Sequence, residues 1–200
     1  MRIKLLRFEH VFFRIFFLVF FGLLMLGQFE RLLLTQTIAV YLHEIILGFS
    51  VTVFLLLHPK CVLSVFMRFR WGKHFLFFLL WVVLTLNLEI FFVPLHVWII
   101  GALYTLRFVL YAMLFPIFIY AMKNRIISRK EIEYLALMLV LGLAIAGLFQ
   151  YVFFPDMRFL TYLGWDDHYY RLISTLFDPS FSAQLFAAGL FLCLYRKPQK

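Results

Sequence analysis

WIIGALYTLRFVLYAMLFPIFIYAM, residues Trp98–Met122, carries a single charge, Arg107, in an otherwise apolar run. A membrane-spanning helix needs about 20 mostly apolar residues, within a range of about 17–25, so this stretch reads as one crossing. A guanidinium keeps its proton at any accessible pH and therefore needs water, an anion or a carboxylate. Holding it in hydrocarbon costs roughly 2.5–3.5 kcal/mol on insertion scales. A chain that keeps such a cation must give it a partner or a task.

Working outward, five more stretches approach spanning length: Val11–Phe29, Ile38–Leu57, Phe75–Val93, Ile132–Phe154 and Ser180–Tyr195. The whole 200-residue chain is 65% apolar and only 14% charged, against about 45–50% and about 25% in soluble domains. So much Phe and Leu needs lipid as its solvent. The expected fold is an all-α, polytopic helix bundle of about six spans, treated as a single transmembrane domain over residues 1–200.

The cations test that count. Arg2, Lys4, Arg7 and Arg14 precede or open the first span, and Lys60, Arg68, Arg70 and Lys73 fill the second connector. Lys123, Arg125, Arg129 and Lys130 fill the fourth, and Arg196, Lys197 and Lys200 the tail; together these are fifteen of nineteen. The alternate side holds Arg31, Arg158 and Arg171 with Glu30, Glu89, Asp156, Asp166, Asp167 and Asp178. Such alternation predicts six spans with both termini cytoplasmic, and Trp71 and Trp98 fall at span ends, where interfacial aromatics gather. The net charge of +9 is thus spread over connectors and anionic headgroups, with no nucleic acid implied. The N-terminal run stays bulky through Met25 and lacks a small-x-small cleavage site, so it reads as an uncleaved anchor. Cys61 and Cys193 have neither disulfide nor zinc spacing. No cofactor is implied.

Two places can carry chemistry. If the second span enters near Thr37 and the fourth near Trp98, Glu44 and Arg107 lie about 10 and about 13 Å deep at about 1.5 Å per residue. They either line one outward-facing cavity as a pair or form a salt bridge that sets helix packing. His43, beside Glu44, reads as an ordinary packed polar residue. The second place is the connector PDMRFLTYLGWDDHYYRLISTLFDP, Pro155–Pro179. Its last residues, Asp178-Pro179-Ser180, place a favoured N-cap and a favoured first-turn proline at the start of the sixth helix. Free N–H groups there attract anions, and Arg158 and Arg171 have the forked geometry that phosphate oxygens accept. The alternative is that Arg171 pairs with Asp167 or Asp178 and orders the loop. Asp166-Asp167-His168 gives three neighbours that do not converge on a metal, and His168 reads as a surface residue rather than a general base. Trp165, Tyr169 and Tyr170 suit either sugar stacking or the headgroup belt.

GWDDHYYRLISTLFDPSF, Gly164–Phe181, resembles the segment of the O-antigen ligase/polymerase family in which an Arg is followed by a Thr-Phe-like pair and then Asp/Asn-Pro opening a helix. Gln150-Tyr151 and Phe153-Phe154-Pro155-Asp156 are similar to that family's lead-in, and Arg107 to its intramembrane basic residue. The resemblance covers residues 38–195 as a topology and about thirty residues as a motif. It implies a metal-independent glycosyltransferase of the bacterial inner membrane that takes glycan from undecaprenyl diphosphate to an acceptor on the outer face. Arg107, Arg171, Arg158 and Asp178 would then form the diphosphate site, with the catalytic residue unknown. Members of that family run longer, with further spans and a large outer loop, so this chain reads as the N-terminal portion of a longer protein. A transporter or flippase half and a non-catalytic membrane scaffold are the other readings.

Overall fold

The computed structural model describes residues 2–33 and 38–195, with side chains from Arg7 onward. The entry point near Thr37, the tail cations Arg196, Lys197 and Lys200, and the side chains of Arg2 and Lys4 lie outside the described residues. Among the described residues seven α-helices follow in order: α1 Arg2–Leu26, α2 Leu42–Leu57, α3 Pro59–Arg68, α4 Gly72–Glu89, α5 Leu95–Lys123, α6 Arg129–Phe153 and α7 Pro179–Tyr195. Two three-residue strands, β1 Arg31–Leu33 and β2 Ala39–Tyr41, and three short 3-10 helices, Gly27–Glu30, Arg158–Leu163 and Ser174–Leu176, accompany them among the described residues.

Among the described residues, four segments are long and apolar enough to cross a membrane: Arg7–Glu30, Gly72–Glu89, Leu95–Lys123 and Arg129–Phe153. The straight Ile38–Leu57 span expected from hydropathy is different in the structure. Its helix starts at Leu42, ends at Leu57, and continues after His58 as α3, bent by 95°. Taken as one broken span, this pair makes a fifth crossing element, and α7 is a shorter apolar helix of 17 residues. His58 precedes Pro59, and a residue before proline is pushed out of the α region; its φ of −136° and ψ of 54° are the break.

The helices fall into two compact units, and α1 changes unit between Phe16 and Phe17. In the first unit, α2 packs on α5, and α3 packs on both α4 and α5. Phe13 of α1, Phe54 of α2 and Tyr120 of α5 meet edge to face, with ring centroids 5.4–6.2 Å apart. Such pairs add about 0.5–1.5 kcal/mol beyond the area they bury. The boundary near Asn87–Pro94 is a tight turn in which Phe92 N–H donates to the Glu89 carbonyl and Trp98 Nε1 donates to the Leu86 carbonyl. Ile90, Phe91 and Phe92 stand exposed on it.

In the second unit, α6 packs on α7, and a Cβ on Gly189 would come within 2.6 Å of Val140. That close approach is how small residues bring membrane helices together. The connector from Pro155 to Asp178 is folded: Met157, Leu160 and Ile173 form a buried cluster, with Trp165 and Phe177 packed against it. Three buried hydrogen bonds tie it down. Ile173 N–H donates to Gln150 Oε1, Ser174 Oγ to the Leu143 carbonyl, and Ser182 Oγ to the Ile173 carbonyl. Gly27, at a φ of +56°, lies so close to the Thr175 carbonyl that a Cβ would sit 2.5 Å from its oxygen. Across both units, long rows of Phe, Leu and Ile remain exposed. That surface suits lipid, since monomeric soluble proteins rarely expose contiguous apolar patches of more than a few hundred Å².

Candidate functional site

Arg107 and Glu44 meet in the first unit. Arg107 Nε approaches Glu44 Oε1 at 2.5 Å, and Nη2 donates to Glu44 Oε2 at 3.0 Å and to the Ala39 carbonyl at 3.0 Å. The guanidinium carbon also lies over the rings of Tyr104 (5.3 Å) and Tyr41 (5.6 Å). The fork-on-carboxylate geometry is the strong, orientation-specific form of the ion pair. Glu44 sits in the first turn of α2, where its Oε2 also accepts from the Tyr41 N–H. A carboxylate is favoured there by the helix dipole. Glu44 is thus the third residue of its helix rather than seven residues inside it. Beside it, His43 is buried with Nε2 against the Tyr111 hydroxyl.

A second polar cluster in this unit is one that the sequence reading misses. Glu9 of α1 is 3% exposed. Its Oε2 accepts from the Tyr120 hydroxyl at 2.6 Å and from His58 Nε2 at 3.3 Å. The His58 and Tyr120 rings lie against each other at a tilt of 36°, with centroids 4.3 Å apart. So a buried carboxylate is held by a tyrosine and a histidine at the break between α2 and α3. The pre-proline histidine is the signal that could have found it.

The remaining expected residues lie in the second unit. Asp178 caps α7: its Oδ1 accepts from Ser180 N–H at 2.7 Å and Phe181 N–H at 3.0 Å. Its carboxylate therefore occupies the N–H groups that an anion would otherwise take. Arg158 is committed to Asp156 through two side-chain bonds, Nε to Oδ1 at 2.8 Å and Nη2 to Oδ2 at 2.6 Å, and lies over the Tyr169 ring. Arg171 is exposed and makes no ion pair among the described residues, so neither Asp167 nor Asp178 holds it. His168, expected at the surface, is 4% exposed instead. The reason is the local pairing of Asp156 with Tyr169 and of Met157 N–H with the His168 carbonyl, which turns the ring inward. Its Nδ1 has no hydrogen-bond partner among the described residues, while Asp166 and Asp167 point outward, so these three neighbours diverge. Arg31, outside the expected site, lies over the Trp165 ring at 5.5 Å.

The Arg158 side chain, and then its backbone N–H, hold the Asp156 carboxyl at about 2, below its usual 3.8, while Asp156 raises the Arg158 guanidinium in turn. A lowered folded-state value means this pair's contribution is complete above the usual carboxylate range and is lost as pH falls toward about 2. Trp165 fluorescence titrated with acid should report that loss of loop order between pH 3.8 and about 2. In Asp156→Asn the corresponding step should be missing.

Comparison with family models, with curated proteins and with solved structures gives no match to this chain.

Proposed function

We propose that this chain is an O-antigen ligase/polymerase-type membrane protein that engages undecaprenyl-diphosphate-linked glycan on the outer face of a bacterial inner membrane. In this reading it crosses six times with both termini cytoplasmic, α2 serving as the second crossing, α3 turned along the cytoplasmic surface after the bend, and α7 serving as the last crossing. The carrying observation is Arg171: an exposed guanidinium free of any carboxylate among the described residues, on a folded, aromatic-rich connector that leads into α7. A fixed cation so placed suits a diphosphate leaving group, whose charge grows as the glycosidic bond breaks. Arg158 and Asp178 order the same connector, Arg158 through Asp156 and Asp178 through the helix cap. Arg107, already neutralised by Glu44, would meet a diphosphate only if that carboxylate gave way.

The test is binding of undecaprenyl diphosphate to the purified chain in uncharged detergent. Arg171→Ala should weaken it about tenfold or more, as loss of a charge-assisted contact does. Arg158→Ala should weaken it less, because that side chain already serves Asp156. Unchanged affinity in Arg171→Ala overturns the site.

One observation favours a transporter or flippase half as a second reading. The 95° bend at His58, with buried Glu9 beside it, has the form of the discontinuous helices that line transporter sites. Movement of lipid-linked glycan across proteoliposomes without glycosyl transfer would decide for it.

A further inference from the structure

A cavity of roughly 600 Å³ opens in the first unit between α3 and the C-terminal turns of α5. Its polar walls are Cys61, Ser64 and Arg68 of α3, with Tyr120, Lys123 and Asn124 across from them. Neither Arg68 nor Lys123 makes an ion pair with a carboxylate among the described residues, and no acidic residue lines the space. The buried carboxylate of Glu9 is not among the lining residues and is already bonded to the Tyr120 hydroxyl and to His58. The end of α5 would oppose an anion through its free carbonyls, but those of Tyr120, Ala121 and Met122 are taken. Asn124 Nδ2 and N–H both donate to the Tyr120 carbonyl, Ile126 N–H to Ala121, and Arg125 N–H to Met122. The cavity is therefore cationic, lined with hydroxyl and amide groups, and enclosed on its apolar side by Val65 and Ile119.

We infer that this cavity is a binding site for a phosphate ester, and that its occupant is the headgroup of an anionic phospholipid. The 95° turn lays α3 across the direction of α2, which suits a helix at the membrane surface. Lys60, Arg70 and Lys73, close to Arg68 in sequence but outside the lining, belong to the cation-rich connectors that would face an anionic leaflet. A volume within the usual range of about 300–1,000 Å³ for ligand pockets accommodates a glycerophosphate group. The arginine fork and the lysine ammonium would share its oxygens, and the acyl chains would leave along the exposed apolar faces of α3 and α4.

The experiment is titration of the purified chain in uncharged detergent with phosphatidylglycerol, phosphatidylcholine and inorganic phosphate, followed by native mass spectrometry. Phosphatidylglycerol should bind in preference to phosphatidylcholine, and Arg68→Gln with Lys123→Gln should weaken it about thirtyfold. Lys60→Gln with Arg70→Gln removes the same charge outside the cavity and should leave binding in place. Inorganic phosphate binding with the same dependence on Arg68 and Lys123, without phosphatidylglycerol, would support the anion site and assign it to a soluble phosphate. Because the cavity variants could misfold, the unaltered cavity is tested as well. In Cys193→Ser, Cys61 is the sole thiol, and bound phosphatidylglycerol should slow its alkylation about tenfold. Equal binding by parent and cavity variant, or an unchanged Cys61 rate at saturating lipid, would overturn the inference.

Discussion

Glu44→Ala should be the more damaging of the two single truncations of the α2–α5 ion pair, costing about 3 kcal/mol, because a cation is left without its partner in a mostly buried place. Arg107 would keep the Ala39 carbonyl and the faces of Tyr41 and Tyr104, which offer partial compensation. Arg107→Ala should cost roughly half as much, since an orphaned carboxyl can take a proton and a guanidinium cannot lose one. Glu44 would also keep its bond from the Tyr41 N–H. Exchanging the two residues should restore only part of the loss, because the exchanged carboxylate could no longer cap α2. Unfolding midpoints in uncharged detergent, combined in a double-mutant cycle, give the comparison. Equal losses from the two truncations would contradict this account.

The second large effect is expected at Glu9. Glu9→Ala leaves the Tyr120 hydroxyl and His58 Nε2 without an acceptor in a buried place, at a cost of about 2–3 kcal/mol. Glu9→Gln retains a carbonyl oxygen at the same position and should cost less than about 1 kcal/mol. A large difference between these variants, read from the same unfolding midpoints, means that the cluster is held mainly by its hydrogen bonds. Similar losses would show that the charge itself is what the cluster needs. Since Glu9 reaches the turn between α2 and α3 through His58, Glu9→Ala should also loosen the bend, raising the alkylation rate of Cys61.

The helical class and the position of α5 were legible because a long apolar run leaves the backbone no other way to satisfy its hydrogen bonds in lipid. The start of α7 was legible for a local reason: Asp178-Pro179 is a cap signal that needs no tertiary context. The α2–α3 bend was present in the sequence as His58-Pro59, but it falls just beyond the apolar run Ile38–Leu57, whose hydropathy alone reads as a straight span. Glu9 was hidden among Arg7, His10 and Arg14, where it has the look of an interfacial charge cluster. Its burial depends on Tyr120, which lies 111 residues away in the chain. Pairing of Glu44 with Arg107 could be framed from similar depth along two spans, although the depth of Glu44 depended on a helix start that the structure places at Leu42. His168 shows the opposite limit: the Asp156–Tyr169 bridge that turns it inward has no marker in composition or spacing.

Synthesis proceeds from the N-terminus, so Glu44 emerges 63 residues before Arg107. The carboxyl group and its helix are thus already made when the base arrives with a charge that it cannot give up. The order of the two along the chain means that the harder passenger boards second, into a seat already prepared. A permuted chain that delivers α5 ahead of α2 would have to carry that cation through the insertion machinery alone.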